Sequence, residues 1–121
     1  MPAQSTVLYP MPMATFDSST LSGSYQAIGT PLPDEARIVK MVNTSTVPVV
    51  VSLNGTTNHD VIPVGGFFLY DVGTNRGNSS PLMCIQKGTQ FYIKGNAGTG
   101  DIYLVAWFGL TPTVTAEYLP L

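Results

Sequence analysis

His59, the one histidine of the chain, is followed directly by Asp60, and this pair is the nearest the sequence comes to hydrolytic machinery. A nucleophile needs a base beside it and an orienting group behind that base. Neighbouring residues on a strand point to opposite faces, so Asp60 is badly placed to orient His59. The expected role of His59 is to cap or flank a hairpin end. With a single histidine, a single cysteine (Cys84) and no acidic calcium loop, the chain carries no transition-metal or EF-hand ligand set. Apart from the neighbours Asp34 and Glu35, its acids fall singly at loops and strand ends, which argues against the paired carboxylates of a glycosidase. The glycine-rich stretch GNAGTG, residues 95–100, has the composition of a phosphate-cradling loop, but such loops lead into a helix. The sequence that follows, DIYLVAWFG, has the pattern of a strand. No catalytic, cofactor or metal site is assigned, and a non-enzymatic protein is expected.

The composition narrows the remaining classes. The chain has 121 residues, enough for one core. Charged side chains make up 10%, far below the roughly 25% of ordinary soluble domains. Hydrophobic residues make up 44%, so much of the exterior must be uncharged and available for protein contact. A net charge of −2 provides no basic stripe to neutralise a phosphate backbone, and nucleic acid is not an expected partner. No apolar run reaches the eighteen or so residues that span a bilayer, so no membrane partner is expected either. The start of the chain lacks the basic residues and continuous apolar centre of a secretory signal, and synthesis in the cytosol is expected. Cys84 is expected to be a buried small hydrophobe, and the sequons at Asn43, Asn54 and Asn78 to be incidental.

The elements that would position these residues are short strands. Runs of β-branched and aromatic residues, punctuated by Gly, Pro, Asn and Asp, predict an all-β sandwich of about eight short antiparallel strands. These are expected at 20–28, 36–42, 47–53, 59–62, 67–72, 82–86, 90–94 and 101–108. Residues 33–36 are expected to form at most one helical turn. Asn54-Gly55 predicts a chain reversal, residues 75–81 a surface loop with Arg76 at its tip, and residues 95–100 a flexible hairpin loop. In the strand from Ile102 to Phe108 both faces are apolar, and residues 67–70 behave alike. A sandwich strand needs one apolar face for the core, so the second is expected to lie under an arm, a loop or another subunit. The aromatics Tyr103, Trp107, Tyr92 and Phe68 also admit a sugar-stacking platform, the alternative of a carbohydrate-binding module, although core or interface packing is the expected use.

Both chain ends are nearly uncharged. Residues 1–16, MPAQSTVLYPMPMATF, carry no charge and three prolines, which excludes a helix and lacks the polarity of a disordered tail. The expectation is an extended N-terminal arm over 1–16, a β-sandwich body over 17–109 and an extended C-terminal arm over 110–121. The arms should bury their side chains against the chain's own domain or a neighbouring copy. The partner-binding residues are expected to be Val7, Leu8, Tyr9, Met11, Met13 and Phe16 at one end, and Val114, Tyr118, Leu119 and Leu121 at the other.

Two stretches carry a resemblance. SLNGTTNHDVIPVGGFFLYDVGTNR, residues 52–76, and KGTQFYIKGNAGTGDIYLVAWFG, residues 87–109, resemble small virion proteins of tailed bacteriophages. The likeness lies in Asn54, Gly55, Thr56, Thr57, Lys87, Gly88, Thr89 and Gln90, a Gly-Thr-Thr turn and a "KGTQ-aromatic" strand. It covers about the central half of the chain and brings no catalytic residues. It implies a jelly-roll-like sandwich on the capsid exterior, acting as a cement or decoration protein, or else a neck, tail or fibre-anchoring subunit. The implied partners are the major capsid protein and further copies of the chain in a homo-oligomer. The implied location is the virion, after synthesis in the host cytoplasm.

Overall fold

The structure, a computed structural model, describes residues 7–71 and 84–110. Within them lie β1 (Val7–Pro10), β2 (Ala14–Asp17), β3 (Gln26–Ile28), β4 (Ala36–Asn43), β5 (Val49–Ser52), β6 (Asp60–Ile62), β7 (Phe67–Asp71), β8 (Phe91–Lys94) and β9 (Asp101–Leu110). One sheet has the order β1-β9-β4-β7, with β2 also pairing β9, and the other has the order β3-β8-β5-β6. Every pairing is antiparallel. From β2 onward the chain changes sheet at every step except β5 to β6, which is the jelly-roll winding of a β-sandwich.

Alternation along the strands builds the core. From β9, Ile102, Leu104, Ala106 and Phe108 point inward; from β4, Val39 and Met41 do so. They meet Val49 and Val51 of β5, Phe91 and Ile93 of β8, and Ile28 and Ile62, all essentially without solvent contact. Burial of these apolar side chains is the main favourable term, on the order of 25 cal/mol per Å² removed from water.

The described part of the N-terminal arm is an edge of this sandwich. Pro10 stands opposite Trp107 and Ala14 opposite Leu104, so residues 11–13 face only residues 105–106. That is a bulge, and a bulge on an edge strand is where prolines are tolerated. Met11 N–H still donates to the Ala106 carbonyl at 3.1 Å. Tyr9, Met11, Ala14 and Phe16 pack against the core, with the Tyr9 ring 5.3 Å from that of Phe108.

Several local expectations are corrected. Residues 33–36 form a bend rather than a helical turn. The backbone around them is taken by residues 85–89: Leu32 N–H donates to Thr89 O, Gly88 N–H to Leu32 O, and Ala36 N–H to Ile85 O. The one 3₁₀ turn among the described residues is Ser18–Thr20, where the Asp17 carboxylate accepts from Ser19 N–H at 2.9 Å. Of the strand expected over 20–28 only Gln26–Ile28 forms, because this turn takes residue 20 and a bend at residues 23–24 follows it. The segment expected as a strand at 82–86 keeps a single bridge, Ala36 with Ile85, and residues 82–83 lie outside the described residues. The loop 75–81 lies outside them as well. The GNAGTG loop is no hairpin, because β8 and β9 belong to different sheets and the loop carries the chain between them. It is pinned by Gly95 N–H to Ser22 O, Gly98 N–H to Ser18 O and Thr46 N–H to Thr99 O.

Candidate docking face

The side chains of β7, β4 and β9 that do not enter the core form a regular grid on the outside of the first sheet. In an antiparallel sheet, directly opposed residues share a face. The first row is Phe67, Val42 and Tyr103; the second is Leu69, Lys40 and Val105; the third is Asp71, Ile38 and Trp107. Phe67 is 62% exposed, Leu69 51% and Trp107 37%. Lys40, at the centre, is exposed between four apolar neighbours. Of the arm, loop or further subunit expected over this second face, the described strands of the N-terminal arm do not lie on it: they join the edge of the sheet beside β9. Contiguous exposed apolar area of this kind sets the face apart from singly scattered surface hydrophobics and makes it the candidate site.

The N-terminal residues expected to bind a partner divide into two sets. Tyr9, Met11 and Phe16 turn into the chain's own core, whereas Leu8 and Met13 are exposed at 48% and 56%. Val7 pairs with Leu110 through the backbone. Tyr9 donates to Asp34 Oδ2 at 2.5 Å, which fastens the arm to the bend after β3. That hydrogen bond, with burial, raises the Tyr9 hydroxyl above the usual tyrosine range. An apolar groove of about 320 Å³, lined by Met11, Pro12, Ala14, Gly29, Thr30 and Pro33, runs beside the bulge. Val114, Tyr118, Leu119 and Leu121 lie outside the described residues.

His59 and Asp60 are committed separately. The Leu53 amide donates to His59 Nδ1 at 3.0 Å, and the His59 amide donates to the Val51 carbonyl at 2.8 Å. Asp60 accepts from its neighbour Val61 N–H at 2.8 Å and from the Tyr70 hydroxyl at 2.9 Å. Among the described residues, no group of three or more His, Cys, Asp or Glu side chains could hold a metal ion. Cys84 is exposed rather than buried, because the bridge at Ile85 spends the alternation of that short segment on Ile85. The four aromatics do not form one platform. Tyr103 and Trp107 lie on the outer grid, Phe68 stacks on Tyr70 in the sandwich at 4.3 Å, and the Tyr92 ring covers Gly55 in the other sheet. Asn43 is wholly buried, Asn54 is exposed, and Asn78 lies outside the described residues.

Sequence reasoning found the apolar outer sides of β7 and β9 but missed β4. ARIVKMVN looks like an ordinary strand with a solvated lysine, and nothing local announces that Lys40 sits between two apolar strands.

These features define a class, a jelly-roll sandwich with one open apolar sheet face. No family of known proteins matches the sequence, and no curated protein does. Among solved structures, a chain of the Bacillus endospore appendages, described as a novel family of disulfide-linked pili, is similar over 91% of this chain and 93% of that one. The TM-score is 0.48 and the identity 15%. A likeness at that level carries no functional argument.

Proposed function

We propose that the chain is a non-enzymatic structural subunit of a multi-subunit particle. In the finer reading it is a cement or decoration protein that binds the outer shell of a tailed-phage capsid and clamps neighbouring major capsid subunits. The observation that carries the coarse reading is the open grid of Phe67, Leu69, Val105 and Trp107 on a chain with only 10% charged residues. A buried contact there stabilises by removing apolar area from water. One copy contributes a weak contact, and many copies on a symmetric shell act together through avidity. The finer reading rests on the likeness of residues 52–76 and 87–109 to small virion proteins. A neck, tail or fibre-anchoring subunit would differ in copy number, on the order of a dozen against hundreds for a cement protein, as the resemblance together with symmetric assembly implies.

The test is add-back of purified protein to particles assembled without it, compared with Leu69→Asp, and a quantitative gel of complete virions. Retention of the unaltered protein in hundreds of copies with loss of Leu69→Asp is the expected result. Equal retention of both, or absence of the chain from virions, ends this reading.

A further inference from the structure

We propose that Lys40 makes the outer face selective for a different protein that presents a carboxylate within an apolar surface, and that it excludes a second copy of this chain stacked on the same face. The inference rests on the reading that this face docks.

Lys40 is the centre of the grid, opposed by Leu69 on one side and Val105 on the other, with Ile38 and Val42 before and after it on the same side of β4. Among the described residues its ammonium has no hydrogen-bonding or ionic partner. Its aliphatic stem can lie along those neighbours while the ammonium stays in water. When a partner covers the face, water leaves, and an ammonium left without an opposite charge opposes binding. A fitting partner must therefore place an aspartate or glutamate above Lys40.

A second copy does not meet this requirement. A two-fold axis through the centre of the face sets Lys40 against its own equivalent. Like charges brought together in a contact weaken it strongly. The acids on this side of the sheet lie at its margins and are engaged: Asp71 at a corner has a partner of its own, Asp101 beyond Tyr103 accepts from the Tyr103 hydroxyl at 3.5 Å, and Asp17 beside it accepts from Ser19 N–H. An offset stack through any of them would have to disturb those interactions. The lysine leaves the apolar grid usable by a complementary protein and blocks its self-burial, which is how a repulsive element confers specificity.

The experiment compares the unaltered protein with Lys40→Met, Lys40→Glu, Lys40→Arg and the double variant Lys40→Met/Leu69→Asp. Sedimentation velocity over a concentration series measures self-association, and add-back to particles assembled without the protein measures docking. Lys40 is exposed, so all variants are expected to melt like the unaltered protein. Lys40→Met is expected to bind particles about tenfold or more weakly, Lys40→Glu more weakly still, and Lys40→Arg nearly normally. Lys40→Met is also expected to gain concentration-dependent self-association that the double variant abolishes. Unchanged particle binding by Lys40→Met, or no gain in its self-association, overturns the inference. If the unaltered protein fails to bind particles at all, the docking reading itself fails, and sedimentation still decides whether Lys40 keeps copies apart.

Discussion

The Tyr70 hydroxyl donates to Asp60 Oδ2 at 2.9 Å and so ties β7 of one sheet to β6 of the other. Burial, followed by this hydrogen bond and the Asp60 charge, pushes the Tyr70 hydroxyl up to about 12 from 10.0. Folding therefore favours the neutral phenol. The contribution is fully present below pH 10 and is lost as pH rises from 10 to about 12. Tyr70→Phe is expected to lower stability at neutral pH by about 1 kcal/mol and to flatten the alkaline fall, read by denaturant titration at several pH values. An unchanged alkaline slope would show that folding does not hold the Tyr70 hydroxyl in its neutral form.

Asn43 is the buried polar node between the sheets. Its Nδ2 donates to the carbonyls of Val47, Ile62 and Pro63 at 2.8–3.2 Å, and its Oδ1 accepts from the Ser45 amide at 3.0 Å and the Ser45 hydroxyl at 2.6 Å. Asn43→Ala takes the acceptor from the buried Ser45 amide and one donor from each of the three carbonyls, although Val47 O keeps the Ser45 hydroxyl and Pro63 O keeps the Gly66 N–H. A loss of about 2–4 kcal/mol is expected by chemical denaturation. Asn43→Asp should be no better, since it sets a carboxyl against three carbonyl oxygens.

Gly100 has φ +97°, and a Cβ built there would lie 2.8 Å from the Thr44 carbonyl oxygen and 3.0 Å from Ser45 Cα. Gly23 has nothing within 4 Å of the same position. Thermal melts of the two alanine variants should separate widely. Gly100→Ala is expected to lose roughly 2 kcal/mol or more and Gly23→Ala to stay within about 0.5 kcal/mol.

The arm can be tested one side chain at a time. Phe16 packs on the core, and Phe16→Ala is expected to lower stability by about 2 kcal/mol. Leu8→Ser and Met13→Ser, at exposed positions, should change stability by less than about 0.5 kcal/mol. Deleting residues 1–16 removes the cover of β9 together with any strap, so these two exposed positions are the cleaner probe. Weakened particle retention by the Leu8 and Met13 variants supports a strap; retention equal to the unaltered protein confines the arm to closing its own sheet.

His59→Ala removes the acceptor for the Leu53 amide, in a loop also held by Asn54 Oδ1 accepting from the Thr56 and Thr57 amides at 2.9 Å. A loss of about 1 kcal/mol is expected, with particle binding unaltered. Loss of binding without loss of stability would give His59 a role beyond the turn.

The sequence by itself determined that this chain is all-β. β-Branched and aromatic runs cut by turn residues leave helix no room, and period-two alternation says which residues of a strand lie together, so the two apolar sides of β9 were legible before any fold. The turn at Asn54-Gly55 was legible for the same reason, since a glycine at φ +78° is a local demand. Tertiary structure decided which strands are neighbours. β8 and β9 adjoin in sequence yet belong to opposite sheets, and Lys40 lies between Leu69 and Val105, which come from distant parts of the chain. Local conformational preference fixes a strand and the parity of its faces, but its partners are chosen by long-range packing of the whole core. An ordinary lysine thereby became the centre of an apolar face.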